Sequence, residues 1–201
     1  MTNSHRVYVV DDDEDLRAAL RFLLESVGLT VVEFSDARSF LDGYDGHRPA
    51  CFIFDMRMPG MSGLDLLDEV KRRDIDVPTL MLTGFGDVPS AARAFRSGVV
   101  DFLEKPFNNQ EVLDKLHHCL DLDKQRQEEG AIKLDVIEKL GRLTPREREV
   151  LDLVVAGRTN RQIAQSLSIA LKTVEIHRAR AMEKFGANNV VELVTMLNST
   201  R

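Results

Sequence analysis

Five short apolar runs with β-branched or aromatic content recur through the first half of the chain, at residues 7–10, 31–34, 51–54, 79–82 and 99–103. Segments with helical periodicity lie between them. Leu16, Ala19, Leu20, Leu23, Leu24 and Val27 repeat at helical spacing and stop at Gly28, a natural C-cap. Leu64, Leu67 and Val70 mark another such stretch over 64–73. Residues 88–97 read as a helix with Asp87 as N-cap, Pro89 in its first turn and Gly98 at its end. A last helix starts near Asn108 and carries Val112, Leu113, Leu116 and Leu120. Five strands alternating with five helices predict an α/β fold, a five-stranded doubly wound parallel sheet with helices on both faces. Right-handed crossovers then put every strand's C-terminal end on one edge. Open sheets of this kind bind their ligands at that edge.

The edge collects five reactive side chains. Asp11 and Asp12 follow the first run, Asp55 the third, Thr83 the fourth and Lys105 the fifth. Asp55 is followed at once by Met56-Arg57-Met58-Pro59-Gly60, so its carboxylate stands where a buried strand gives way to a turn. Two acidic strand ends suit a hard cation. Mg²⁺ takes octahedral oxygen ligands and keeps several waters, so one or two carboxylates plus a carbonyl are sufficient. Asp12 and Asp55 are the expected carboxylate ligands, with Asp11 holding a metal-bound water. A metal between them leaves one carboxylate available as nucleophile and neutralises an incoming phosphoryl group. Lys105 would contact the phosphoryl oxygens, and the Thr83 hydroxyl would hydrogen-bond one of them. Phosphoryl transfer asks mainly for positioning and charge stabilisation, and these residues can supply both. Asp13, Glu14 and Asp15 read differently: they open the first helix, where acidic side chains favour its dipole.

The hydrophobic fraction of 43% excludes a disordered chain. No stretch of eighteen apolar residues is present, and Met1–Arg6 runs into a strand-like segment without a signal-peptide core. A cytoplasmic location with no membrane partner is expected. Cys51 and Cys119 lie in apolar-periodic segments, form no CxxC pair and read as core thiols. Charge divides the chain unevenly. Residues 1–121 carry 13 Lys/Arg against 22 Asp/Glu, and residues 122–201 carry 14 against 11. An acidic half joined to a mildly basic one suggests two domains with different partners. Between them, residues 122–141 are charged and Gln-rich, interrupted by Gly130. Leu113, Leu120, Gln127 and Leu134 fall seven apart, a weak heptad equally consistent with a solvated linker. The stretch reads as an interdomain linker that can be helical and continuous with the preceding helix.

Residues 142–201 form the second domain. Leu143-Thr144-Pro145-Arg146-Glu147 is a capping box with Pro at the first helical position. Short helices follow at about 145–156, 160–167, 171–185 and 189–198. The second and third are separated by about three residues, as in a helix-turn-helix. In that motif the second helix enters the major groove. On a helical wheel of 171–185, Val174, Ala181 and Phe185 face the core, while Lys172, Ile176, Ala179 and Arg180 point away with Glu175 at the flank. Lys172, Thr173, Arg180 and Lys184 are the expected phosphate contacts. Glu175 could accept from cytosine N4, and Ile176 could touch a thymine methyl. Arg178 falls on the core side, its stem packed. His177 reads as a packing or phosphate-contacting residue, since no His or Cys is spaced to share a metal with it.

These residues carry a resemblance. Val9-Val10-Asp11-Asp12 with Arg17, the run Asp55 to Gly63, Leu82-Thr83-Gly84, and Asp101-Phe102-Leu103-Glu104-Lys105-Pro106-Phe107 resemble the receiver domain of bacterial two-component response regulators, a flavodoxin-like sheet. Leu143 to Leu151, Asn160-Arg161-Gln162-Ile163-Ala164 and Thr173 to Arg178 resemble the LuxR-type helix-turn-helix. The pairing looks like the FixJ/NarL family, closer to FixJ-like members in the run Thr83-Gly84-Phe85-Gly86-Asp87-Val88-Pro89, and it covers nearly the whole chain. The resemblance implies that Asp55 is phosphorylated by a sensor histidine kinase. It also implies that Asp12, Asp55 and the backbone carbonyl of Arg57 hold Mg²⁺, and that Lys105-Pro106 is a cis peptide. Thr83 and Phe102 would be the switch pair, biasing the face of the fourth helix, fifth strand and fifth helix towards homodimerisation. The output would be promoter binding and regulation of transcription with RNA polymerase. The chain would then be a regulated DNA-binding protein rather than an enzyme, promoting its own Asp phosphorylation and dephosphorylation. Two positions depart from the pattern. Ala170 stands where relatives carry Ser or Thr as N-cap, and Leu171 where a polar residue or Pro is common. DNA binding is therefore expected to lean on dimerisation.

Three rival readings make different demands on the residues. An aspartyl phosphatase would need a second Asp two residues after its nucleophile, and that place holds Arg57. A receiver that uses its C-terminal helices only for assembly would show no salt-dependent DNA binding. A DNA-binding protein without phosphorylation would have no use for the full set of Asp, Thr and Lys.

Overall fold

The computed structural model describes residues 5–84 and 98–198. The helix expected over 88–97, with Asp87 and Pro89, lies outside the described residues. The chain divides into two compact units, Met1–Gln127 and Glu128–Arg201.

The first unit is built in the order β1 (Arg6–Val10), α1 (Glu14–Ser26), β2 (Thr30–Phe34), α2 (Ala37–Gly43), β3 (Ala50–Asp55), α3 (Gly63–Arg72), β4 (Thr79–Thr83), β5 (Asp101–Glu104) and the part of α4 (Asn109–Gly141) up to Gln127. The five strands form one parallel sheet in the order β2-β1-β3-β4-β5. All six residues of β3 are buried, as its continuous apolar run requires of a strand covered on both faces. Strand alternation sorts the core into two layers. Tyr8, Val10, Phe52, Phe54 and Met81 pack with Phe40 of α2 and Leu64, Leu67 and Val70 of α3. Val7, Val9, Cys51, Ile53, Leu80, Leu82 and Leu103 pack with Leu20 and Leu24 of α1 and Val112, Leu116 and Leu120 of α4. Phe40 meets Tyr8, Phe34, Phe52 and Phe54 edge to face. Cys51 and Cys119 are buried free thiols.

The second unit carries α5 (Pro145–Val155), α6 (Asn160–Leu167), α7 (Leu171–Phe185) and α8 (Val190–Asn198). Thr144 and Thr159 each close a capping box at the start of α5 and α6. Left-handed residues Ser168 and Gly186 end α6 and α7. Val150, Val154, Ile163 and Val174 form one core cluster. Val136, Leu151, Ala181, Phe185 and Leu193 form the other. Among the described residues, no helix is long and apolar enough to cross a membrane.

Residues 122–141 are helical throughout, continuous with the helix that begins at Asn109. They are not uniformly solvated: Asp123 is fully buried in the first unit and Val136 is buried in the second. The seven-residue repeat is not a packed seam, because Leu120 is buried whereas Leu134 is 68% exposed.

Candidate functional site

Register brings the site together. Val10 pairs with Phe54, so Asp11 and Asp55 come out abreast. Asp55 pairs with Leu82, and Thr83 pairs with Glu104 just before Lys105. The edge is held closed by backbone bonds: the Met56 N–H donates to the Leu82 carbonyl at 2.9 Å and the Lys105 N–H to the Thr83 carbonyl at 2.8 Å. The Lys105–Pro106 peptide is cis, as is Arg48–Pro49. Helix α3 starts hard against the end of β3. A Cβ at Gly63 would lie 2.2 Å from the Asp55 carbonyl oxygen, so glycine alone fits there. Ser62 caps this helix by accepting from the Asp65 N–H.

Lys105 Nζ donates to Asp55 Oδ1 at 2.6 Å and to Asp11 Oδ2 at 2.8 Å. Asp55 Oδ2 accepts from the Arg57 N–H at 2.7 Å, and Asp11 Oδ1 from the Asp13 N–H at 2.9 Å. Arg17 Nη1 donates to the Asp11 carbonyl at 2.7 Å, tying α1 to the same edge. One ammonium thus serves two carboxylates. Burial pushes the Asp55 carboxyl above its usual range; Lys105 opposes this and the Asp11 charge adds to it. Burial also works against the Lys105 ammonium, but its bonds to Asp11 and Asp55 win and its pKa is raised.

Asp11, Asp55 and Lys105 are therefore in contact. Asp12 stands exposed at the same edge. Thr83 is half-buried, its hydroxyl 3.2 Å from the Gly84 carbonyl oxygen. Phe102 is partly buried against the layer that contains Phe54 and Met81. The Arg57 guanidinium lies beside Gly84, where a Cβ would come within 3.0 Å of it. Among the described residues, no three His, Cys, Asp or Glu side chains close into a finished metal site.

In the second unit, Lys172, Glu175, Ile176, Ala179 and Arg180 are exposed along α7, and Thr173 is half-buried. Lys172 pairs with Glu175 at 3.2 Å. Arg178 Nη1 donates to Asn160 Oδ1 at 2.9 Å, bridging α7 to the start of α6. His177 is half-buried, and its Nδ1 finds no hydrogen-bond partner among the described residues. Lys184 has partners within its own unit: its Nζ donates to Glu147 Oε2 at 2.6 Å and to the Arg142 carbonyl at 3.0 Å. Ala170 provides no side-chain cap to α7.

A sheet that ends in one lysine between two aspartates, followed by a helix-turn-helix bundle, defines a signal-receiving protein with a DNA-binding output. Comparison with known proteins agrees for both halves. Residues 7–117 match the response regulator receiver domain, and residues 141–197 match the luxR family of bacterial regulatory proteins. The chain is 39% identical over 196 residues to the transcriptional regulatory protein FixJ of Bradyrhizobium diazoefficiens, covering 98% of this chain and 96% of that one. It is 40% identical over 190 residues to nodulation protein W of the same organism, covering 94% and 84%. Among solved structures, the response regulator StyR aligns with a TM-score of 0.87 at 36% identity, over 97% of this chain and 98% of that one. The chain belongs to the two-component response regulators that join a receiver domain to a LuxR-type DNA-binding domain. Its family makes it a transcription regulator, and its receiver domain implies a sensor kinase upstream.

Proposed function

We propose that Asp55 is the phosphoacceptor. Its Oδ attacks the phosphorus of a kinase phosphohistidine, the P–N bond breaks, and an aspartyl phosphate forms. The observation that supports this most strongly is the single Lys105 ammonium shared between Asp55 and Asp11. The carboxylates of Asp11 and Asp55 share the Lys105 ammonium, and the candidate metal ligands at the edge are all oxygen. That fits Mg²⁺. Asp12, Asp55 and the Arg57 carbonyl would hold the ion, and Asp11 would hold it through a water. Bound there, it would neutralise charge on the transferring phosphoryl group. Lys105 would pass from Asp55 to a phosphoryl oxygen, and the Thr83 hydroxyl would donate to another.

Once phosphorylated, Thr83 and Phe102 would shift together and favour a homodimer. Paired α7 helices would then enter the major groove of promoter DNA. Ile176, Ala179 and Glu175 face base edges in this reading, while Lys172, Thr173 and Arg180 contact phosphates. The missing cap at Ala170 supports reliance on pairing over a single domain's affinity. RNA polymerase is the partner expected downstream. Incubation with acetyl phosphate and Mg²⁺ tests the first step: intact-mass measurement should show one phosphoryl group on the chain and none on Asp55→Asn. Phosphorylation of that variant to the same extent would exclude Asp55.

A further inference from the structure

Asp123 is fully buried, yet it lies beyond residue 117, where the receiver match ends, and well before residue 141, where the second match begins. Its carboxylate accepts from Arg48 Nε at 3.1 Å and from Arg48 Nη2, from the Ala50 N–H at 2.8 Å, and from Gln127 Nε2 at 3.2 Å. Oδ2 takes three of these bonds and Oδ1 takes the one from Arg48 Nη2. Ala50 is the first residue of β3, the strand whose last residue is Asp55. The same strand therefore holds the phosphoacceptor at one end and helix α4 at the other. A second tie follows one turn on, where Arg126 Nη1 meets Asp76 Oδ1 at 2.7 Å. From residue 128 to 135 the helix is exposed, apart from half-buried Gly130.

A buried ion pair is a poor source of net stability, but it can specify register, because the charge finds its partners in one position only. Slipping α4 by one residue would turn it by about 100° and shift it by about 1.5 Å. The apolar residues Leu116 and Leu120 tolerate neighbours of similar shape; a carboxylate that must meet Arg48 and the Ala50 N–H does not. We propose that Asp123 is a positioning residue for signal output: it fixes the height and rotation at which α4 leaves β3. This rests on the reading of Asp55 as phosphoacceptor and of the second unit as its DNA-binding output.

The test uses the full chain, acetyl phosphate with Mg²⁺, and DNA selected from a random-sequence pool by the wild-type protein. The quantity measured is the gain, the ratio of DNA affinity with phosphodonor to affinity without it. Asp123→Asn keeps the volume and one acceptor oxygen but removes the charge. A second variant, Arg48→Met with Asp123→Leu, replaces the pair by apolar groups and guards against misfolding of the first. Both should be phosphorylated to the wild-type extent while the gain falls by at least about threefold, a coupling change within the usual allosteric range. A wild-type gain in either phosphorylated variant would overturn the proposal. So would joint loss of phosphorylation and folding in both, which would assign Asp123 to structure alone. If the wild type itself shows no gain, the reading of Asp55 fails instead, independently of Asp123.

Discussion

The two ends of β3 hold carboxylates in opposite conditions. At the C-terminal end, Asp55 shares one lysine with Asp11, and burial raises its pKa. At the N-terminal end, Asp123 has a guanidinium of its own plus a backbone N–H and an amide. The first arrangement gives one ammonium to two carboxylates, which suits the proposed uptake of a cation and a phosphoryl group. The second leaves nothing to react. Burial alone does not mark a functional carboxylate; the balance of partners does. Glu147 in the second unit belongs with Asp123. Its pKa is lowered to about 2, first by Lys184 and then by the Thr144 N–H.

Substituting at the reactive end separates function from fold most widely. Asp55→Asn should abolish donor-driven phosphorylation while leaving urea stability unchanged or higher by about 1 kcal/mol, since it removes an under-compensated charge. A large loss of stability would place Asp55 with the structural carboxylates. Lys105→Met should lower stability instead. It strands Asp11 and Asp55 together and should cost about 2 kcal/mol in urea melts, discounted from a fully buried pair because Lys105 is partly exposed. No change would mean that the two carboxylates do not depend on it.

In the second unit, Ala170→Ser should supply the missing cap of α7 and raise stability by about 1 kcal/mol in thermal melts of the full chain. An unchanged melt would show that the start of α7 is already satisfied. The smallest effect concerns pH. Glu147 has a depressed folded-state pKa, so its contribution is fully present above its unfolded value of 4.5 and is lost as pH falls towards about 2. Glu147→Gln keeps a capping-box acceptor but removes the titration. Its stability should vary less than wild type between those pH values in urea melts, and an identical slope would detach Glu147 from Lys184. Asp55 has the opposite sign. Its raised pKa favours the fold below the unfolded value, and this is lost as pH rises through the folded value.

Legibility in the sequence followed the same division. The strands and the gathering of Asp11, Asp55 and Lys105 could be read because each reactive residue ends its own apolar run. A parallel sheet turns that spacing into proximity. Asp123 could not be read, because its burial depends on Arg48, 75 residues away. In a charged, Gln-rich helix it looks like any solvated acid. The partners of Lys184 were hidden for a related reason: its position on α7 suggested phosphate, and Glu147 and the Arg142 carbonyl lie 37 and 42 residues away. The heptad stayed ambiguous in the sequence because Leu134 repeats Leu120 in spacing but not in surroundings.

Asp55 as a gate for DNA binding is tested by measuring the full chain's affinity for its selected DNA, with and without acetyl phosphate and Mg²⁺, beside Asp55→Asn. Phosphodonor should tighten binding by the wild type and leave the variant unmoved. Equal tightening of both, or none in either, would contradict phosphorylation of Asp55 as the switch.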